Sequence, residues 1–73
     1  MERTVLLGHL EAARLHVLRG ENHIARQKQL IADLNTSGAN TQFAERVLEA
    51  FETTDYHHLI DMQRILDQLD DID

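Results

Sequence analysis

The sequence contains no cysteine, no proline and no tryptophan, and only 4% of its residues are aromatic. Without cysteine, disulfide bonds are excluded as a means of stabilising a chain of 73 residues, which is too short to bury a large core. Apolar runs are only a few residues long, far below the ~20 that a membrane-spanning helix needs. The charged first residues also lack the apolar core of a signal peptide. We therefore expect a cytoplasmic protein.

Basic residues are also scarce, with 7 Lys and Arg against 13 Asp and Glu and a formal net charge of −6. The imbalance lies in the second half, where residues 41–73 carry two basic and nine acidic side chains. Such a surface repels phosphate backbones and anionic lipids. The composition predicts that neither nucleic acid nor membrane is a partner.

Sequence motifs of catalysis are missing as well. There is no glycine-rich phosphate loop, no cysteine nucleophile and no strand and turn that would hold a reactive serine. We predict that the protein is not an enzyme, and we assign no catalytic residue, no cofactor and no metal-ligating residue.

One segment, residues 35–40, has the composition of a turn. Gly38 can adopt the left-handed conformation that ends a helix, and Asn40 can cap the next helix with Thr41 as its first residue. We therefore predict an all-α protein: a single domain over residues 1–73, built as an antiparallel hairpin of two helices at about 4–36 and 41–70, with the turn at about 36–40.

Each predicted helix carries a seam of residues at alternating spacings of four and three, which is typical of coiled-coil-like packing. The seam of the first helix is Leu6, Leu10, Ala13, Val17, Gly20, Ile24, Gln27, Ile31 and Leu34. The seam of the second helix is Ala44, Leu48, Phe51, Asp55, His58, Met62, Ile65, Leu69 and Ile72.

Folding the chain back at Gly38 aligns the two seams. This alignment predicts Gly20 opposite His58 and Gln27 opposite Phe51. A glycine inside a helix costs about 1 kcal/mol relative to alanine and needs a packing reason, which we expect to be the imidazole. Gln27, a long polar residue in the seam, is expected to fix the register.

A second apolar strip would stay exposed on a lone hairpin. It consists of Leu7, Leu15, Leu18, Phe43, Val47, Leu59, Ile60 and Leu66. A strip this wide is expected when every helix contacts two neighbours, so the sequence predicts a homodimer that forms a four-helix bundle.

Histidine is the enriched functional residue, and three of the five lie seven residues apart, at positions 9, 16 and 23. Consecutive members are ~10 Å apart, too far to share one metal ion. We interpret them as flanking residues that cover the seam, with His16 near Asp61 and His23 near Asp55. Protonation of the histidines is a further candidate, because it would shift the assembly between pH 5 and 7.

Asp55 and His58 offer a different hypothesis, because their spacing puts a carboxylate and an imidazole on one helical face. In the alternative function, the protein is a small metal-binding or metal-sensing bundle that uses these two residues. Half of the ligand pattern of carboxylate-bridged bundles is missing, since the first helix has no Glu-x-x-His.

Residues from both predicted helices and from the turn together suggest a family resemblance. The pattern consists of His9-Leu10, Ala13, His16-Val17, Gly20, His23-Ile24, Gln27, Ile31, Leu34, Gly38, Asn40-Thr41, Ala44, Leu48, Phe51-Glu52 and His58. It resembles a group of small helical proteins of unknown function from rhizobia and related alphaproteobacteria, over residues 9–66. The resemblance implies a bacterial cytoplasmic protein and no particular activity.

The function predicted from the sequence is therefore a non-enzymatic one. We expect a dimeric protein-interaction or regulatory module, with an unidentified protein partner that the acidic second helix or an apolar groove would engage.

Overall fold

The computed structural model describes residues 2–72 and contains two long helices, α1 (Arg3–Thr36) and α2 (Gln42–Ile72). Met1 and Asp73, the end residues of the predicted domain, lie outside the described residues. The helices pack against each other along their length as an antiparallel hairpin, and no strand occurs within residues 2–72. The predicted fold class and helix bounds are confirmed to within two residues.

The end of α1 is a Schellman motif, in which the last helical carbonyls are bonded by the backbone of the turn. The Ala39 N–H donates to the Leu34 carbonyl at 2.9 Å, and the Gly38 N–H donates to the Asn35 carbonyl at 3.1 Å. Gly38 has a φ of 77°, the left-handed conformation that other residues adopt only under strain. The predicted role of Gly38 is confirmed.

The start of α2 is capped by Asn40, whose side-chain oxygen accepts a hydrogen bond from the Gln42 N–H at 2.8 Å. This bond gives a partner to one of the helical N–H groups that have no carbonyl in the preceding turn. The Glu45 N–H donates to the Thr41 carbonyl at 2.9 Å, so the helical bonding pattern begins at Thr41. Asn40 therefore acts as the predicted cap, but the first residue of α2 is Gln42 and not Thr41.

The interface between the helices is the predicted heptad seam. All nine seam residues of α1 are buried or half-buried, and every other residue of α1 is exposed. Eight of the nine seam residues of α2 are also covered, and only Ile72 is exposed. The buried apolar residues are Leu6, Leu10, Ala13, Ala44 and Leu69, of which Leu6, Leu10 and Leu69 form one cluster. Asp55 is buried as well.

The predicted alignment of the two helices is wrong by three residues, which is nearly one turn. The nearest atoms to Gly20 on α2 belong to Asp55 and not to His58. The cause is the Schellman motif: because the Ala39 N–H bonds back to Leu34, the chain has already reversed at Ala39. The midpoint of the chain reversal therefore lies closer to the end of α1 than to the start of α2.

The hairpin is long and thin, with extents of 54 × 14 × 12 Å and a radius of gyration of 16.6 Å. A compact domain of this length has a radius of gyration of about 11 Å. Neither helix has a stretch within residues 2–72 that is apolar and long enough to span a membrane. The shape is that of a rod with two open flanks.

Candidate functional site

The two flanks of the hairpin differ in composition. Residues that come one position before a seam residue form one flank, which we call the histidine side. Residues that come one position after a seam residue form the other flank, which we call the leucine side. Since the helices are antiparallel, preceding positions of both helices fall on the same flank. One groove of about 310 Å³ shows this, because His9 and His16 from α1 line it together with Asp61 from α2.

The middle of the seam contains a buried carboxylate. The Asp55 side chain is 8% exposed, and its Oδ1 atom has no hydrogen-bond partner. A Cβ atom added at Gly20 would lie 2.7 Å from this oxygen, so the absent side chain makes the space that the carboxylate occupies. Burial of a polar atom without a partner costs free energy. We therefore expect the buried Oδ1 atom of Asp55 to destabilise the hairpin.

His58, one turn after Asp55, lies half-buried beside it in the seam, and its Nδ1 atom has no hydrogen-bond partner either. The His58 ring packs against the His16 ring, with 5.1 Å between the ring centroids and a tilt of 35°. His16 and Asp61 line the same groove, as the sequence predicted. A layer of polar groups thus interrupts the apolar seam near the middle of the rod.

Two further seam contacts differ from the prediction. His23, predicted near Asp55, packs against Phe51 with 5.4 Å between the ring centroids. Gln27, predicted opposite Phe51, donates from Nε2 to the Ala44 carbonyl at 2.8 Å. This bond joins the two helices near the turn, and it is consistent with the register-fixing role expected of Gln27.

Metal ligation was the alternative hypothesis for Asp55 and His58. Within residues 2–72, no group of three or more His, Cys, Asp or Glu side chains is arranged to hold a metal ion. The Asp55 Oδ1 atom packs against Gly20 instead. Any metal bound by this pair would need ligands from outside the described chain.

The leucine side carries large apolar side chains in contact with solvent. Leu7 is 45% exposed, Leu18 is 56% exposed, Tyr56 is 62% exposed and Leu59 is 39% exposed. Leu66, on the same side, is half-buried. Of the strip predicted to stay exposed, Leu7, Leu15, Leu18, Phe43 and Leu59 are exposed, and Val47, Ile60 and Leu66 are half-buried.

Sequence reasoning missed one group of residues on α1, at the edge of the histidine side. Arg19, Asn22, His23 and Arg26 line a shallow groove of about 280 Å³. The signal was present in the sequence, since no acidic residue stands three or four positions from either arginine. The net negative charge hid this signal, because it describes the whole chain and not one flank.

No protein-family model, curated protein or solved structure matches the chain. The resemblance to rhizobial helical proteins stays a prediction.

Proposed function

We propose that this protein is a non-enzymatic interaction module, a homodimer in which the leucine sides of two hairpins pack together as a four-helix bundle. The observation that carries the proposal is an excess of exposed surface. The hairpin exposes 5480 Å², whereas a monomeric protein of 8.4 kDa exposes about 4,600 Å². The excess is close to the ~800 Å² that each partner buries in a stable interface.

The leucine side is the favoured interface because large aliphatic and aromatic side chains cluster on one half of it. Leu7, Leu18, Tyr56 and Leu59 lie on the half of the rod from its middle to the chain termini, with Leu66 beside them. Aromatic and long apolar side chains dominate the cores of such interfaces. The other half of the leucine side is acidic, with Glu45, Glu49 and Glu52 on α2. We expect this acidic half to stay free for a basic protein partner.

The test is the mass of the protein in solution, measured by light scattering across micromolar concentrations. Leu18→Glu should convert the dimer to monomers, because it buries a charge in the interface. Leu15→Glu is the matched control: Leu15 is similarly exposed at 44% on the same helix, but it faces away from both flanks. A stable wild-type monomer, or equal effects of the two variants, would contradict the proposal.

The second candidate function, a metal-binding or metal-sensing bundle, is favoured by a single observation. Asp55 and His58 each bury one polar atom that has no hydrogen-bond partner. A metal that binds the native state must raise the melting temperature. Thermal unfolding with and without zinc, nickel, manganese and iron tests this. A rise that His58→Ala abolishes would replace the interaction module as the leading function, and unchanged melting temperatures would remove the metal candidate.

A further inference from the structure

The histidine side has a shallow groove around Arg19 and His23, and this groove has two parts. One part, of about 320 Å³, is lined by residues of both helices, which are His16, Arg19, Gly20, His23, Phe51, Thr54 and His58. The next part, of about 280 Å³, is lined by Arg19, Asn22, His23 and Arg26. Arg19 and His23 line both parts. The first part lies between the two helices, the second part lies on the surface of α1 alone, and the two parts adjoin at these side chains.

The charge of this groove is opposite to that of the whole chain. Its lining contains two arginines and no acidic residue, in a protein with a net charge of −6. Residues three and four positions away on a helix are the neighbours that normally pair with an arginine. For Arg19 and Arg26 these neighbours are Leu15, His16, Asn22, His23, Gln29 and Leu30. Within residues 2–72, neither arginine makes an ion pair.

The polar groups that line the groove are suited to an anion. Arg19 and Arg26 are two helical turns apart, about 10 Å, with Asn22 and His23 between them on the same surface. Guanidinium groups bind carboxylates and phosphates through paired N–H donors. The first part of the groove also contains the rings of His23 and Phe51, which pack with 5.4 Å between their centroids and a tilt of 30°.

We propose that this groove binds a small organic anion, with its carboxylate or phosphate group between Arg19 and Arg26 and a flat apolar body against His23 and Phe51. A single anionic group senses mainly the charges within a Debye length of about 8–10 Å. Arg19 and Arg26 supply two positive charges there, and the Asp55 carboxylate behind Gly20 supplies one negative charge. A polyanion such as nucleic acid would also meet the acidic remainder of the surface. The site lies on the flank opposite the proposed dimer interface, so it does not depend on dimerisation.

The experiment is an NMR titration of the isotopically labelled full chain at constant ionic strength. The probes are phenyl phosphate, benzoate, inorganic phosphate and the neutral benzyl alcohol. We expect phenyl phosphate or benzoate to shift the backbone amides of residues 16–26 and 51–58 in a saturable manner, and benzyl alcohol to do so much more weakly. The stronger of the two anions identifies phosphate or carboxylate as the preferred group.

Arg19→Gln and Arg26→Gln should each weaken binding by about two- to fivefold, and the double variant by more, because each removes one exposed charge pair. Arg14→Gln is the matched control, since Arg14 lies on α1 but on the leucine side. It should leave the affinity unchanged. The proposal is overturned if no saturable shifts occur, if inorganic phosphate shifts amides across the whole chain equally, or if Arg14→Gln weakens binding as much as Arg19→Gln. Circular dichroism of each variant checks that the hairpin is intact.

Discussion

The carboxylate of Asp55 lies against the bare backbone of Gly20 on the facing helix. A methyl group at Gly20 would approach the Asp55 Oδ1 atom to 2.7 Å, closer than carbon and oxygen atoms normally come. The two residues therefore depend on each other: the glycine makes room for a side chain that has no hydrogen-bond donor beside this oxygen. We expect both residues to reduce the stability of the hairpin, Gly20 through its low helix propensity and Asp55 through desolvation of its carboxylate.

The two glycines inside α1 should respond differently to replacement by alanine. Gly8→Ala should raise the free energy of unfolding by about 1 kcal/mol, because a Cβ there meets nothing within 4 Å. Gly20→Ala should raise it less or lower it, because the Asp55 carboxylate must move. In an Asp55→Ala background, Gly20→Ala should recover the full gain. Urea unfolding followed by circular dichroism measures all three, and equal gains for both glycines in the wild-type background would refute the contact.

Removal of the buried carboxylate should stabilise the protein. We expect Asp55→Ala to raise the free energy of unfolding by about 1–3 kcal/mol, since an unpaired buried polar group carries a penalty of that size. Asp61→Ala is the control, because Asp61 is exposed and its ion pair with Arg64 is 3.9 Å long. That variant should change stability by about 0.5 kcal/mol or less. Loss of stability in Asp55→Ala would mean that the carboxylate has a favourable role in the fold.

The end of the rod that carries the chain termini should be the most sensitive to truncation of an apolar side chain. Leu6 is 1% exposed, and Leu6→Ala should lower the free energy of unfolding by about 2–5 kcal/mol. Leu15 is 44% exposed, and Leu15→Ala should lower the free energy of unfolding by about 0.5 kcal/mol or less. Denaturant midpoints at a fixed protein concentration compare the two variants. Similar losses of stability in the two variants would show that Leu6 does not lie in the apolar core.

The turn should depend on the left-handed conformation of Gly38. Gly38→Ala should lower the free energy of unfolding by about 1–2 kcal/mol, because an L-residue is strained at its φ of 77°. Gly38→Asn should lower the free energy of unfolding by less, since asparagine tolerates this conformation better than alanine does. Thermal melts of the two variants provide the comparison, and an alanine variant as stable as the wild type would contradict the strain argument.

Much of the architecture could be predicted because it depends on short-range patterns. The alternating spacing of apolar residues identified every covered position of α1. The chemistry of Gly38 and Asn40 located the turn, since a helix cap involves only a few neighbouring residues. The alignment of the helices was less accessible, because it depends on how many residues the turn uses before the chain reverses.

The candidate site was predictable only in part. The three spaced histidines were correctly placed along one flank, but the partners of His23 and Gly20 were not. The groove with Arg19 and Arg26 was not anticipated, because an acidic composition obscures a local basic surface. A residue-by-residue inspection of charge at helical spacing would have revealed that no acidic residue is close to either arginine on α1.

The sequence alone determined two helices, their ends, the turn between them and the seam along which they meet. Only the tertiary structure decided which residue of one seam faces which residue of the other. The physical reason is that a heptad pattern repeats with nearly every turn, so a shift of three or four residues still pairs seam with seam. The hydrogen-bonded geometry from Leu34 to Ala39 selects one of these alignments, and that choice sets Asp55 against Gly20 and the ring of His58 against His16.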